Sequence, residues 1–371
     1  MLSVFCSPSR YTQGKNATAA LGAEMTGLGL SGPALIVSSR SPIRLLSETW
    51  NSTLAEAGIA YSVHEFGGEC SLAEIERIKQ VAQQQKSQVI IGAGGGKVLD
   101  AARAVAAELN LPIVNCPTVA SSDSPCSALS VIYSDEGIVQ GCRFHRKNAD
   151  LVLVDTQIIA QSPPRLLVAG MGDALATWFE AKTCFDGGVK NLRGGLSTQS
   201  ALALAKLCYR TLLADGADAL RSVQTQVVTP ALERLVEANT LLSGIGFESS
   251  GLAAAHAIHN GLTTAQGTHD YLHGEKVAFG LLTQLVLEGQ PRSVVRRVLS
   301  FATEVGLPIT LADIGLAELP KDVLSQIAIR ATAENDTMRN EPFEVRPDMV
   351  ADAILAADAM GRAWKKEHRA Q

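Results

Sequence analysis

VIIGAGGGKVLDAARAVAAEL, residues 89–109, reads in three pieces. Val89, Ile90 and Ile91 belong to a short apolar run of the kind buried in a parallel sheet. Gly94, Gly95 and Gly96 form a turn that no side chain screens, and an amphipathic, alanine-rich helix follows from Lys97. A strand, a bare glycine turn and a helix start, in that order, present backbone N–H groups and a helix N-terminus in the geometry that holds a pyrophosphate. The P-loop spacing GxxxxGK[ST] is absent, and the turn does not follow the first strand, where the usual dinucleotide fingerprint falls. A tight helix entry would call for small residues as well. Lys97 and Asp100, one turn apart, are either surface partners or groups that fix the turn and touch a cofactor.

Outward from this stretch, ALIVS (34–38), the strand candidate Ala60 to Val63, LPIVNCP (111–117) and DLVLVD (150–155) alternate with helical patterns. That alternation predicts an α/β Rossmann-like dinucleotide-binding domain over residues 1–160. After Pro163 and Pro164 the pattern changes to long runs with apolar residues three and four apart, such as SALALAKLCYRTLL and ALERLVEANTLLSGIGFE. Residues 161–371 therefore predict an all-helical domain. A ligand cleft is expected between the two, at the carboxyl ends of the strands.

Composition narrows the function classes. With 371 residues, 46% of them hydrophobic, the chain can bury a large core. A net charge of −5, with 32 basic against 37 acidic residues and no long basic block, argues against a nucleic-acid surface. The N-terminus shows no charged leader before an apolar core, and no run reaches eighteen apolar residues, so a cytoplasmic protein without a membrane span is expected. Seven scattered cysteines without a CxxC indicate neither a disulfide framework nor a cysteine zinc site.

Two further segments carry chemistry. CPTVASSDSPCSALSVIYSDEG (116–137) follows a strand and is dense in hydroxyls around Asp123, which suits a loop that hydrogen-bonds a sugar, an amide or a polyol. SSGLAAAHAIHNGLTTAQGTHDYLHGEKVAFG (249–280) holds four of the seven histidines. Imidazoles and carboxylates suit zinc or another divalent first-row ion. His256 and His259 lie three apart in one helix and share a side, and His273 comes fourteen residues later. The candidate carboxylate is Asp173, which follows a Gly-Met-Gly bend in LLVAGMGDALATWFEAKT and opens a helical pattern, where an N-cap is its ordinary role. Asp173, His256 and His273 would make three protein ligands with one position left for water or substrate. His259 or His269 could replace either histidine.

SPSRYTQGKNA (7–17), GAGGGKVLDAARA, PTVASSDSPCSALSVIY, GMGDALATWFEA, ALERLVEANTLLSGIGFESSGLAAAHAIHNG and HGEKVAFG together resemble the glycerol dehydrogenases of the iron-containing (group III) alcohol dehydrogenase superfamily, from about Phe5 to the last helices. The resemblance implies the dehydroquinate synthase-like fold of that superfamily, a metal held by Asp173, His256 and His273, and oxidation of glycerol to dihydroxyacetone with NAD by a zinc-containing homo-oligomer, often an octamer. It places Gly96, Lys97, Asp100, Thr118, Ser121, Ser127, Leu129 and Tyr133 on cofactor positions and Asp123 near the glycerol hydroxyls.

Two departures bear on the chemistry. Iron-dependent relatives carry a further histidine one turn after the aspartate; here it is Thr177, which favours zinc. Glycerol dehydrogenases usually carry an aspartate after the first strand to accept hydrogen bonds from the adenosine ribose; here Ser39 precedes Arg40, and an arginine there could attract the 2′-phosphate of NADP. NAD is the expected cofactor and NADP the alternative. Another small vicinal diol, hydroxyketone or 2-hydroxy acid is the alternative substrate. For the proton, His259, Asp123 and a water chain are all open. A synthase on the same scaffold would need a basic phosphate-binding set, and the histidine segment offers only Lys276. A non-catalytic relative would have lost a ligand or the glycine turn, and both are present.

Overall fold

The apolar runs become strands because the interior of a parallel sheet buries both faces. β1 (Tyr11–Gly14), β2 (Ala34–Ser38), β3 (Tyr61–Glu65), β4 (Val89–Gly94), β5 (Ile113–Pro117) and β8 (Leu151–Asp155) form one sheet in the order β1-β8-β5-β4-β2-β3, every pair parallel. β2, β4, β5 and β8 are buried at every residue. Edge strands β1 and β3 are only partly buried and carry polar side chains, so their periodicity is weak. This computed structural model describes residues 1–368, and residues 369–371, the last of the expected helical domain, lie outside them.

The sheet is accompanied by α1 (Leu21–Gly27), α2 (Arg40–Glu56), α3 (Leu72–Gln84), α4 (Gly96–Leu109) and α5 (Thr156–Ala160). Leu21, Met25, Ile36, Trp50, Leu54 and Ile91 share one core. α4 ends where Asn110 takes a left-handed conformation, φ 53°, one of the few residues that tolerate it. The hydroxyl-rich stretch read as a loop contains β6 (Leu129–Tyr133), which pairs with β7 (Val139–Phe144) as an antiparallel hairpin.

The remaining helices are α6 (Pro164–Asp186), α7 (Gln199–Gln224), α8 (Pro230–Glu237), α9 (Ser243–Ser250), α10 (Ala254–Leu262), α11 (His273–Leu287), α12 (Arg292–Val305), α13 (Lys321–Ala331) and α14 (Pro347–His368). None of the described helices is long and apolar enough to cross a membrane. The seven cysteines are free thiols.

Neither compact unit is one continuous stretch. The sheet unit is Ser7–Pro164 with Arg221–Gly244; the helical unit is Met1–Cys6, Arg165–Leu220 and Ile245–Gln371. Residues 221–244, expected among the helices, thus belong with the sheet. Polar groups of edge strand β1 are the reason. Gln13 Nε2 donates to the Glu233 carbonyl and carboxylate, both at 2.8 Å, and the Tyr11 hydroxyl meets Thr240 Oγ1 at 2.8 Å. α8 and the π-turn Ala238–Leu242 therefore cover an edge that would otherwise stand open. The first residues are claimed in the same way by the helical unit: Val4 N donates to Leu196 O at 3.0 Å and Cys6 N to Ser249 Oγ at 3.0 Å.

Candidate functional site

In the helical unit, Asp173, His256 and His273 come together from α6, α10 and α11. Asp173 is no N-cap. It lies mid-way along α6, because Gly170-Met171-Gly172 stays helical and Gly172 serves close packing instead. A Cβ on Gly274 would stand 1.8 Å from Ala169 O, and one on Gly172 2.3 Å from Gly274 O. The first turn of α11 therefore rests directly on the backbone of α6, and the residues beside these two glycines are Asp173 and His273.

His273 Nε2 lies 3.2 Å and His256 Nε2 3.3 Å from Asp173 Oδ1. Ligand atoms about 2 Å from a tetrahedral ion stand roughly 3.3 Å apart, so this set of one carboxylate and two imidazoles fits zinc. Burial alone would push the Asp173 carboxyl up, but His273 and His256 together outweigh it and hold the group well below the usual carboxylate range.

The outer ring nitrogens are already engaged, which leaves Nε2 of each histidine for the metal. His256 Nδ1 meets Glu180 Oε2 at 2.6 Å. Glu180 sits two turns after Asp173 on the same side of α6, and its other oxygen accepts from Ala253 N and His256 N. Burial disfavours a charged His256 ring, but Glu180 and Asp173 raise its pKa well above the ordinary value. The AAAHA start of α10 has no capping side chain of its own. Its N–H groups are taken by Glu180, by Glu341 Oε1 at Ala254 N (3.0 Å) and by Gln284 Oε1 at Ala255 N (2.9 Å).

His273 Nδ1 meets His259 Nε2 at 2.9 Å, and His259 Nδ1 meets Asn260 Oδ1 at 3.1 Å. Burial, reinforced by His273, Lys276 and His256, pushes the His259 pKa well below its ordinary value, so this ring is neutral. His259 thus contacts one ligand, and the three-residue cluster does not include it. His269, the other substitute, is exposed and bonded to Thr263 O at 3.1 Å.

In the sheet unit, the glycines of the turn divide by task. A Cβ on Gly92 would meet Ala102 Cβ at 2.9 Å and one on Gly94 would meet Val98 at 2.8 Å, so these two let α4 pack on β4. Gly95 and Gly96 have no neighbour nearer than 3.4 Å at that position, leaving a bare backbone concavity at the start of α4 that a pyrophosphate fits. Thr118 N donates to Gly94 O at 3.1 Å and ties the following loop to the turn. Lys97 and Asp100 are not surface partners of each other: Lys97 Nζ donates to Glu69 Oε1 at 2.6 Å and lies 4.7 Å from the Tyr133 ring centroid.

Asp100 points inward, its Oδ2 accepting from Val131 N at 3.3 Å, and burial raises its pKa to about 6. Next to it, Arg103 is 1% exposed and donates to Ser124 O at 2.8 Å, to Leu129 O and to Ser127 Oγ at 3.4 Å. A buried guanidinium spent on carbonyls welds the 118–131 loop to α4. Ser127 is fully buried in this network, while Ser121 is half-buried beside it. Asp123 accepts from Ser243 Oγ at 2.9 Å, and Asn239 Nδ2 donates to Ala120 O at 3.1 Å, so the returning segment fixes the loop from its other side.

Ser39 follows β2 as the N-cap position of α2, without a side-chain capping bond. Arg40 is not a free cation: Nε and Nη2 donate to Glu65 Oε1 at 3.0 and 2.8 Å. Glu65 ends the neighbouring strand, in register with Ser38. Glu180, Arg103 and Glu65 had no role in the sequence reading. Only Glu180 left a trace there, a second acid seven residues after Asp173.

Residues 8–156 match the model of the iron-containing alcohol dehydrogenase family. A glycerol dehydrogenase of Thermotoga maritima is 49% identical over 98% of this chain and 99% of its own length. A glycolaldehyde reductase of Halobacterium salinarum is 47% identical, again over 98% and 99%. The crystal structure of glycerol dehydrogenase from Schizosaccharomyces pombe superimposes with a TM-score of 0.93 at 36% identity, covering 98% of this chain and 92% of that one.

Proposed function

The chain belongs to the iron-containing alcohol dehydrogenase family, and on that premise we propose that it oxidises glycerol reversibly to dihydroxyacetone, with NAD as hydride acceptor and one zinc ion on Asp173, His256 and His273. The observation that carries the reading is the pair of Nε2 atoms converging on Asp173 Oδ1 with both Nδ1 atoms engaged behind them. A zinc ion held there would supply Lewis acidity toward a substrate hydroxyl, and a bound dinucleotide would supply the hydride acceptor. Asp173, Glu180 and the two histidines hold that charge centre rigid. Gly95, Gly96 and Lys97 line the place for the pyrophosphate. Thr118, Ser121, Leu129 and Tyr133 carry the rest of the dinucleotide. Asp100 and Ser127 act from within, shaping the loop. Asp123 takes a substrate hydroxyl, while His259, its Nδ1 on Asn260 and its Nε2 on His273, backs that histidine, and the proton leaves through water. Thr177 keeps the metal set at three protein donors.

NAD is preferred over NADP because Arg40 is spent on Glu65, and a carboxylate beside the end of β2 repels a 2′-phosphate. The Halobacterium relative supports a second reading, in which the same centre reduces a small hydroxyaldehyde. A cytoplasmic homo-oligomer, octameric as the resemblance implies, completes the proposal.

The deciding experiment follows absorbance at 340 nm with zinc-loaded protein and glycerol, NAD and NADP in parallel. A signal with NAD that chelation abolishes and zinc restores supports the proposal. A folded, zinc-loaded protein silent with glycerol and active with glycolaldehyde favours the second reading.

A further inference from the structure

We infer that Asp336 is a positioning residue for the metal centre, fixing through Asn260 and His259 which nitrogen of His273 is offered to the ion; this rests on the metal reading above. Asp336 is buried, held by Arg330 Nη1 at 2.5 Å and Thr337 N at 2.7 Å. Its ionised oxygens only accept, so the atom of Asn260 that faces them, 3.1 Å from each, is the amide nitrogen. A planar amide with its nitrogen committed in one direction turns its oxygen in the other. Oδ1 of Asn260 therefore faces His259 Nδ1 at 3.1 Å, and that nitrogen carries the hydrogen. Two ring nitrogens 2.9 Å apart hold one hydrogen between them; with the His259 hydrogen on Nδ1, its Nε2 accepts and His273 donates to it from Nδ1. With Nδ1–H spent on His259, Nε2 is the nitrogen left for an ion, and it is the one that faces Asp173.

The inability of one carboxylate to donate is thus handed on through two side chains to a ligand it does not touch. The same segment grips the helix of the other histidine ligand: Thr337 Oγ1 donates to Ala253 O and Asn340 Nδ2 to Leu252 O, both at 2.7 Å.

Zinc affinity, measured by competition with a chromophoric chelator, and the His259 tautomer, read by nitrogen-15 NMR of the zinc-free protein, test the chain of bonds. Asp336→Leu is expected to weaken zinc binding about 10- to 100-fold, the range found when outer partners of metal ligands are removed, and to lose the Nδ1–H form of His259 as the single tautomer. Adding Asn260→Asp supplies an acceptor-only group at 260 that no longer needs Asp336. The double variant is expected to regain zinc affinity, which a merely structural role of Asp336 would not allow. Asn260→Leu leaves the 336–341 turn intact and must show the same loss, covering the case in which Asp336→Leu fails to fold. Wild-type affinity in Asp336→Leu, a double variant no better than the single one, or a wild-type His259 with its hydrogen on Nε2 would each overturn the inference. A wild-type protein with the Nδ1–H tautomer and no zinc affinity would instead overturn the metal reading alone.

Discussion

Gly274→Ala should separate the packing of the ligand helices from their stability. The added Cβ would lie 1.8 Å from Ala169 O and 3.0 Å from Asp173 N. Carbon and carbonyl oxygen keep about 3.3 Å apart in even their closest favourable contacts, so the start of α11 must retreat from α6 by roughly 1.5 Å. Metal–ligand distances tolerate about 0.2 Å. The retreat carries His273 away from Asp173 by several times that margin, and zinc affinity should fall at least a hundredfold. Overpacking of this kind costs about 1–3 kcal/mol, a few degrees of melting temperature for a unit of this size. Gly361→Ala is the matched control, because its Cβ meets Ile309 O at the same 1.8 Å with no ligand beside it. Thermal melting of the zinc-free proteins and zinc dissociation constants from chelator competition should show both variants destabilised and only Gly274→Ala deprived of zinc. Zinc affinity retained in Gly274→Ala alongside a lowered melting temperature would refute the argument that this glycine contact sets the ligand geometry.

His273→Ala should abolish zinc binding and turnover while far-UV circular dichroism stays that of the wild type; full turnover with zinc retained would remove His273 from the ligand set. Glu65→Gln frees Arg40, and since an exposed pair of this kind is worth up to about 1 kcal/mol, kcat/KM for NADP relative to NAD should rise roughly fivefold; an unchanged ratio places the pair outside the ribose subsite. Burial and then Glu288 raise the Glu341 carboxyl to about 8, so the folded protein keeps a proton that the unfolded chain releases near 4.5. Wild-type stability should therefore decline as pH climbs through that window and level off above it. Glu341→Gln keeps the acceptor for Ala254 N and has no such proton, so its melting temperature should gain on the wild type across the same range; parallel curves would refute the shift.

The central strands were legible because burial on both faces leaves continuous apolar runs, and the turn at 94–96 because backbone freedom has a sequence signature. β1 was not: Tyr-Thr-Gln-Gly is polar, and its partners Glu233 and Thr240 lie more than 200 residues away. The β6–β7 hairpin was masked by the hydroxyls of its lead-in. Asp173 was read as a helix opening because glycines in sequence look like a bend, whereas Gly172 and Gly274 serve the approach of two helices, which only the fold reveals. The three members of the candidate metal cluster were visible as residue types. The groups that aim them, Glu180, Asn260 and Asp336, are ordinary acids and amides until tertiary contact gives them direction.

The return of residues 221–244 to the sheet has a consequence for synthesis. A chain leaving the ribosome N-terminus first presents Tyr11, Gln13 and Asp123 long before Thr240, Glu233 and Ser243 exist to meet them. At roughly 5–20 residues per second, the 120 residues between Asp123 and Ser243 take on the order of 10 s, during which Asp123 lacks that partner, and β1 waits longer still for its cover. A truncated transcript ending anywhere within 165–220 contains every strand of the sheet and still yields a polypeptide whose edge stays open, because the residues that cover it are never translated.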